Sequence, residues 1–246
     1  MIFPSLDRVK AIAPGYDIVP VYMEILSDVR TPISVLKALK QVSSHTYLLE
    51  SADNSNHWGR YSFLGYDPKI ELFCKNHTMT IKDGTTRTFE CSDPAAEIRN
   101  ILSQYKSPRL EELPTFTGGF VGYFAYEYIR YIEPTLDFPT PDDNSAMVND
   151  VDLMLFDKVI AFDHYKNKIY LIANISTNDL ERNYNKAELE LKALADLVVN
   201  GKEADIPKGI LKTEFTSEFT KDEFEAVVKK TQHYIKEGDI FQCVVS

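Results

Sequence analysis

Thr46-Tyr47-Leu48-Leu49-Glu50-Ser51, the polar run from Ala52 to His57, and Arg60-Tyr61-Ser62-Phe63-Leu64-Gly65 set the architecture of this chain. Each flank is an apolar and aromatic run of strand length, too short for a helix, and the polar segment between them reads as a long loop. The combination predicts a β-hairpin. Similar runs follow at Lys69 to Phe73 and Thr78 to Lys82, with Asp83-Gly84 as a tight turn into Thr85 to Phe89. Further along, Asp152 to Asp163 and Lys168 to Ile175 predict an antiparallel pair joined near Lys166-Asn167. Strands at hairpin spacing, set apart from a few helical runs, indicate an α+β chain of largely antiparallel sheets packed face to face, with flanking helices.

The helical runs carry their own start and stop signals. Thr31-Pro32 offers a capping hydroxyl and a proline suited to the first helical position, and Ile33, Leu36 and Leu39 keep helical spacing within Thr31 to Val42. Pro94 opens a helix in which Ile98, Ile101, Leu102 and Tyr105 share a face, before Pro108 and Pro114 end the pattern. Gly118-Gly119-Phe120-Val121-Gly122-Tyr123 suggests close backbone approach leading into a buried strand or helix start. Glu133 to Asn149, with Pro134, Pro139 and Pro141, reads as an irregular loop, and Asp179 to Val199 as a long amphipathic helix. Thr220-Lys221-Asp222-Glu223 fits a capping box, Gly238 is placed to end that helix, and Ile240 to Val245 predicts a strand.

This punctuation divides the chain into an extension at residues 1–18, a first domain at 19–199, a linker at 200–216 holding Gly201, Pro207 and Gly209, and the start of a second domain at 217–246. An apolar strand directly after a well-formed helix, with nothing following to pair with it, gives the expectation of a truncated second domain.

The 246 residues suffice for one large domain or two small ones, and 44% apolar with 26% charged residues excludes wholesale disorder. Against 37 acidic residues stand 27 basic ones, a net charge of −10 with no dense basic cluster, which speaks against nucleic acid or an anionic membrane as partner. Cys74, Cys91 and Cys243 are an odd number at wide spacings, forming neither a disulfide framework nor a metal motif, as suits a reducing compartment. With no leader-like start and no apolar run of membrane length, the expected location is cytoplasmic.

Among candidate chemistries, His45, His57, His77, His164 and His233 lack metal-binding spacing, Asp142-Asp143 and Asp150-Val151-Asp152 fit no calcium loop, and no phosphate loop or nucleophile elbow is present. What remains is Glu50-Ser51, facing His57-Trp58-Gly59-Arg60-Tyr61-Ser62 across the polar loop. A carboxylate and a hydroxyl can hold an ammonium group, a guanidinium can fork onto a carboxylate, and aromatics can wall an apolar side chain. That outlines an amino-acid pocket. The plainer alternative is an ordinary hairpin ion pair between Arg60 and Glu50, with Trp58 in the core.

Leu48-Leu49-Glu50-Ser51 followed by Trp58-Gly59-Arg60-Tyr61-Ser62-Phe63-Leu64-Gly65 resembles the amino-terminal signature of the anthranilate synthase large component. Pro20-Val21-Tyr22, Thr31-Pro32, Gly118-Gly119-Phe120-Val121-Gly122-Tyr123, Phe156-Asp157 and Ile235-Lys236-Glu237-Gly238-Asp239-Ile240-Phe241-Gln242 continue the resemblance in order, from about Val19 onward. It implies an enzyme of tryptophan biosynthesis that converts chorismate and ammonia to anthranilate and pyruvate, using Mg²⁺ and ammonia supplied by a glutamine amidotransferase component II. It further implies that the first domain holds tryptophan as feedback inhibitor, with Ser51 matching the inhibitor-contacting serine, Glu50 its neighbour, and Arg60 the approximate place of a basic pocket residue.

The family's catalytic histidine, metal-binding glutamates and substrate arginine belong to positions past the Gly238-Asp239-Ile240-Phe241-Gln242 match. No catalytic residue is therefore expected within these 246 residues, and the chain alone is expected to be inactive. Two rivals remain. One is the related aminodeoxychorismate synthase large component of the folate path, and the other is a stand-alone amino-acid-binding module.

Overall fold

In a computed structural model, residues 1–28, 30–51, 59–133, 135, 148–205, 207 and 209–245 are described. The chain divides into two compact units, Met1–Asp205 and residues 206–246. In chain order the first unit contains α1 (Leu6–Ile12), β1 (Ile18–Leu26), α2 (Pro32–Leu39), β2 (Thr46–Leu49), β3 (Tyr61–Tyr66), β4 (Ile70–Lys75), β5 (Thr78–Lys82), β6 (Thr86–Glu90) and α3 (Pro94–Leu102). It continues through β7 (Gly119–Phe124), a 3-10 turn (Tyr126–Tyr128), α4 (Ile129–Ile132), β8 (Val151–Phe156), β9 (Lys158–Asp163), β10 (Lys168–Ser176) and α5 (Leu180–Asn200). The second unit holds α6 (Lys221–Glu237).

The strands form two five-stranded sheets, ordered β1-β10-β9-β3-β2 and β6-β5-β4-β8-β7, with every neighbouring pair antiparallel. With the helices, this is the expected α+β class. Burial explains the different sequence texture of the two sheets. Along β1 and β10 the odd positions Val19, Val21, Ile169 and Leu171 join a core with Val9 of α1, Val35 and Leu39 of α2, and Leu191 and Leu194 of α5. The even positions Tyr22, Tyr170 and Ile172 point to the opposite face, where Leu110 and Leu113 cover them. Both faces of the first sheet are buried, so its strands are apolar at nearly every position. The second sheet buries one face: Ile70, Leu72, Cys74, Met79, Ile81, Leu153 and Leu155 pack with Ile98 and Ile101 of α3. Residues 1–18, expected as an extension, contribute α1, whose Val9 is fully buried in the first core.

Four expectations are corrected. The single strand read from Asp152 to Asp163 is two strands in different sheets, because the chain crosses between them at Asp157. The Asp157 carbonyl accepts from the Asn174 backbone N–H at 2.9 Å and from its Nδ2 at 3.1 Å, which anchors the crossing. No glycine or proline marks the place, so the apolar run hid it. The glycine-rich run around Gly119 becomes β7, an edge strand whose Tyr123 and Phe124 are exposed rather than buried. On α3 the expected shared face is incomplete, because Leu102 is exposed. Finally, Ile240 to Val245 forms no strand, since among the described residues of its unit there is only a helix and no second strand to complete a ladder. Most of the expected Glu133 to Asn149 loop lies outside the described residues.

Candidate functional site

The β2–β3 hairpin places the predicted site residues at one end of the first sheet. In its antiparallel register Leu49 lies opposite Phe63, so Glu50 and Ser51 continue the chain just past β2 while Arg60 stands just before β3. Glu50 and Ser51 are both exposed. On its other side β3 pairs with β9, with Tyr61 opposite Asp163 and Ser62 opposite Phe162. Strand order therefore brings Arg60 beside Asp163, more than a hundred residues away in sequence.

Arg60 donates to Asp163 from two positions, Nε to Oδ1 at 3.0 Å and Nη2 to Oδ2 at 2.7 Å. This is the side-on fork that a planar guanidinium makes with a carboxylate. The Tyr61 and Tyr165 rings lie near the guanidinium, with centres 4.8 and 5.6 Å from its central carbon. Asp163 is fully buried, and its Oδ1 also accepts the backbone N–H groups of Tyr165 and Lys166, each at 3.1 Å. Burial pushes the Asp163 carboxyl up, but the Arg60 donors and the two backbone N–H groups outweigh it and hold the group below the usual carboxylate range. The Asp163 hydrogen bond in turn raises the Arg60 guanidinium further. Beside this pair, Ser62 Oγ and His164 Nε2 are 2.7 Å apart, and the His164 N–H donates to the Arg60 carbonyl at 2.9 Å.

The expected alternative, an Arg60–Glu50 ion pair, is replaced: Arg60 pairs with Asp163. Sequence reasoning missed Asp163. A signal was present in part, because an aspartate before the turn residues His164 to Asn167 suits side-chain acceptance from following N–H groups. Its partnership with Arg60 depends on β3 lying next to β9, which spacing does not reveal. Trp58 and His57 lie outside the described residues.

A second concavity lies where the chain crosses between the sheets, an open cleft lined by residues that include Ile18, Leu102, Tyr105, Phe156, Asp157 and Asn174. Burial pushes the Asp157 carboxyl up against the pull of the nearby Lys158 and Lys69 ammonium groups. Asn174 Nδ2 bridges the Thr117 and Asp157 carbonyls at 2.7 and 3.1 Å, so this corner serves first to lock the crossing.

The resemblance implies Mg²⁺ with ligands outside this chain. Among the described residues no group of three or more His, Cys, Asp or Glu side chains comes together in a way fit to hold a metal ion, and no residue of this chain is assigned to it. No helix among the described residues is long and apolar enough to cross a membrane.

Comparison with known proteins agrees with the architecture. Residues 45–246 match the model of the chorismate binding enzyme family. The chain is 34% identical to anthranilate synthase component 1 of Acetivibrio thermocellus, over all of its own length and 51% of that protein's, and 36% identical to the Acinetobacter calcoaceticus protein of the same name, over 94% and 46%. The crystal structure of anthranilate synthase component I from Streptococcus pneumoniae TIGR4 superposes with a TM-score of 0.51 at 26% identity, covering 89% of this chain and 46% of that one. The chain thus spans about half the length of the relatives it matches. By sequence along most of its length, and by its two antiparallel sheets with flanking helices, it belongs to the chorismate binding enzyme family.

Proposed function

We propose that the chain is the regulatory, amino-terminal part of an anthranilate synthase large component. The parent enzyme takes chorismate and ammonia to anthranilate and pyruvate in tryptophan biosynthesis, receives its ammonia from a glutamine amidotransferase component II, requires Mg²⁺ and works in the cytoplasm. Tryptophan is the feedback inhibitor. The observation that carries this reading is the similarity to component 1 proteins over nearly the whole chain, together with Glu50, Ser51 and Arg60 at one end of the β2–β3 hairpin.

In the inhibitor site the Ser51 hydroxyl and the Glu50 carboxylate are suited to an amino acid's ammonium group, and the Arg60 guanidinium to its carboxylate. Inhibition then requires that tryptophan bind the active and inactive states of the whole enzyme unequally. The chemistry itself is not assigned to Glu50, Ser51 or Arg60. The 246-residue chain mixed with chorismate, ammonium and Mg²⁺ is expected to form no fluorescent anthranilate.

Calorimetric titration of tryptophan into the chain, with tyrosine as competitor and a Ser51→Ala variant alongside, tests the site. Selective binding lost in the variant supports the reading. Tyrosine binding as tightly as tryptophan, or a Ser51→Ala variant that binds normally, counts against it. The folate-path rival is separated by the product of the parent enzyme, whose amino group lies ortho to the carboxyl in anthranilate and para in the rival's product.

A further inference from the structure

Arg60 is held so that one edge of its guanidinium is occupied and, among the described residues, the other is open. Nε and Nη2 both end on the Asp163 carboxylate, which is fully buried and further tied by the Tyr165 and Lys166 N–H groups. Tyr61 and Tyr165 lie near the guanidinium. A guanidinium carries five N–H donors in one plane, so the edge formed by Nη1 and the second Nη2 hydrogen remains able to fork onto another carboxylate. Among the described residues Nη1 has no hydrogen-bond partner, and the Arg60 side chain keeps 31% of its exposure.

We propose that Asp163 is a positioning residue of the amino-acid site: by occupying one edge of Arg60 it aims the open edge at the α-carboxylate of the bound ligand. The proposal rests on the reading of Arg60 as part of that site. Its physical basis is preorganisation. A free arginine would lose side-chain entropy on gripping a ligand, whereas one already fixed by a buried carboxylate and flanked by two aromatic rings has lost most of it on folding. Asp163 also keeps the pair near neutrality, so a ligand bearing an ammonium group as well as a carboxylate suits the site better than a simple anion.

The test compares tryptophan with tryptophan amide, which keeps the indole and the ammonium group but lacks the carboxylate, in the wild-type chain and in Arg60→Gln and Asp163→Asn. The wild type is expected to prefer tryptophan, and both variants are expected to lose that preference. Asp163→Asn should weaken tryptophan binding about tenfold while leaving amide binding unchanged. A purely structural Asp163 would weaken both ligands together, and that result overturns the proposal. Loss of preference in Arg60→Gln with retention in Asp163→Asn also overturns it, leaving the Arg60 reading intact. Retention in Arg60→Gln, or absence of any preference in the wild type, sinks the Arg60 reading and the proposal with it. Should Asp163→Asn fail to fold, the Arg60 Nε–H resonance of the wild-type chain decides. It should keep its protection from solvent exchange when tryptophan binds, whereas faster exchange would mean that Asp163 releases Arg60 on binding and would refute the positioning role.

Discussion

Asp163 shows how a single buried group can govern its surroundings. Removing one partner of a buried, hydrogen-bonded charge pair leaves the other uncompensated, at a cost of about 3–5 kcal/mol. Arg60 is partly exposed and Asp163 keeps two backbone donors, so Arg60→Ala is expected near the lower end, about 3 kcal/mol by urea denaturation at neutral pH. The pH dependence follows from the lowered Asp163 carboxyl. Its contribution is complete above the ordinary carboxylate range and disappears as the pH falls through its folded-state value. The melting-temperature gap between wild type and Asp163→Asn should therefore be widest near neutrality and narrow on acidification. A gap that stays constant or widens would contradict the assignment.

Among the elements, β7 depends on the absence of one atom and α6 on one cap. A Cβ at Gly122 would lie 2.0 Å from the Asp152 carbonyl oxygen across the β7–β8 ladder, a backbone atom that cannot swing away. Gly122→Ala should lower stability by about 2–3 kcal/mol, the upper part of the range for overpacking, and should speed amide exchange along β7. The same change at Gly84, where nothing lies within 4 Å, meets no such contact. On α6, the Thr220 hydroxyl accepts from the Glu223 N–H while the Glu223 carboxylate accepts from the Thr220 N–H at 2.8 Å, completing the box expected from sequence. Thr220→Ala should cost this helix about 1 kcal/mol, visible as reduced helical circular dichroism on mild heating. The cap was legible because it acts within a few residues, whereas the glycine run signalled close approach without showing which strand it approaches.

At the level of the assembled first unit, Asp157 is where the two sheets meet in one stretch of chain. Burial raises its carboxyl, so the fold favours the protonated acid. The stability this gives is present below the ordinary carboxylate range and is lost as the pH rises through the raised value. Asp157→Asn, which keeps the shape and the backbone carbonyl used by Asn174, should therefore melt higher than wild type at neutral pH. The difference should shrink toward acid pH, and a lower melting temperature at neutrality would show that Lys158 and Lys69 rely on this charge more than burial opposes it.

Residues that speak to near neighbours were readable in order along the chain. The hairpin turn at Asp83-Gly84, the caps at Thr31 and Thr220, the antiparallel β9–β10 pair and the α+β class needed only periodicity and turn chemistry. The Glu50-Ser51 and Arg60 blocks, at opposite ends of one loop, were likewise visible as a pair. Three things could not be read there. The crossing at Asp157 carries no breaker residue, the exposure of β7 depends on its place at a sheet edge, and the Asp163 partner of Arg60 exists only because β3 lies against β9. Strand order is a property of long-range pairing, set by which apolar faces can be buried together. That is why Glu50, Ser51 and Arg60 could be picked out as candidates from the sequence, while the pairing of Arg60 with Asp163 was decided by the packing of the sheet.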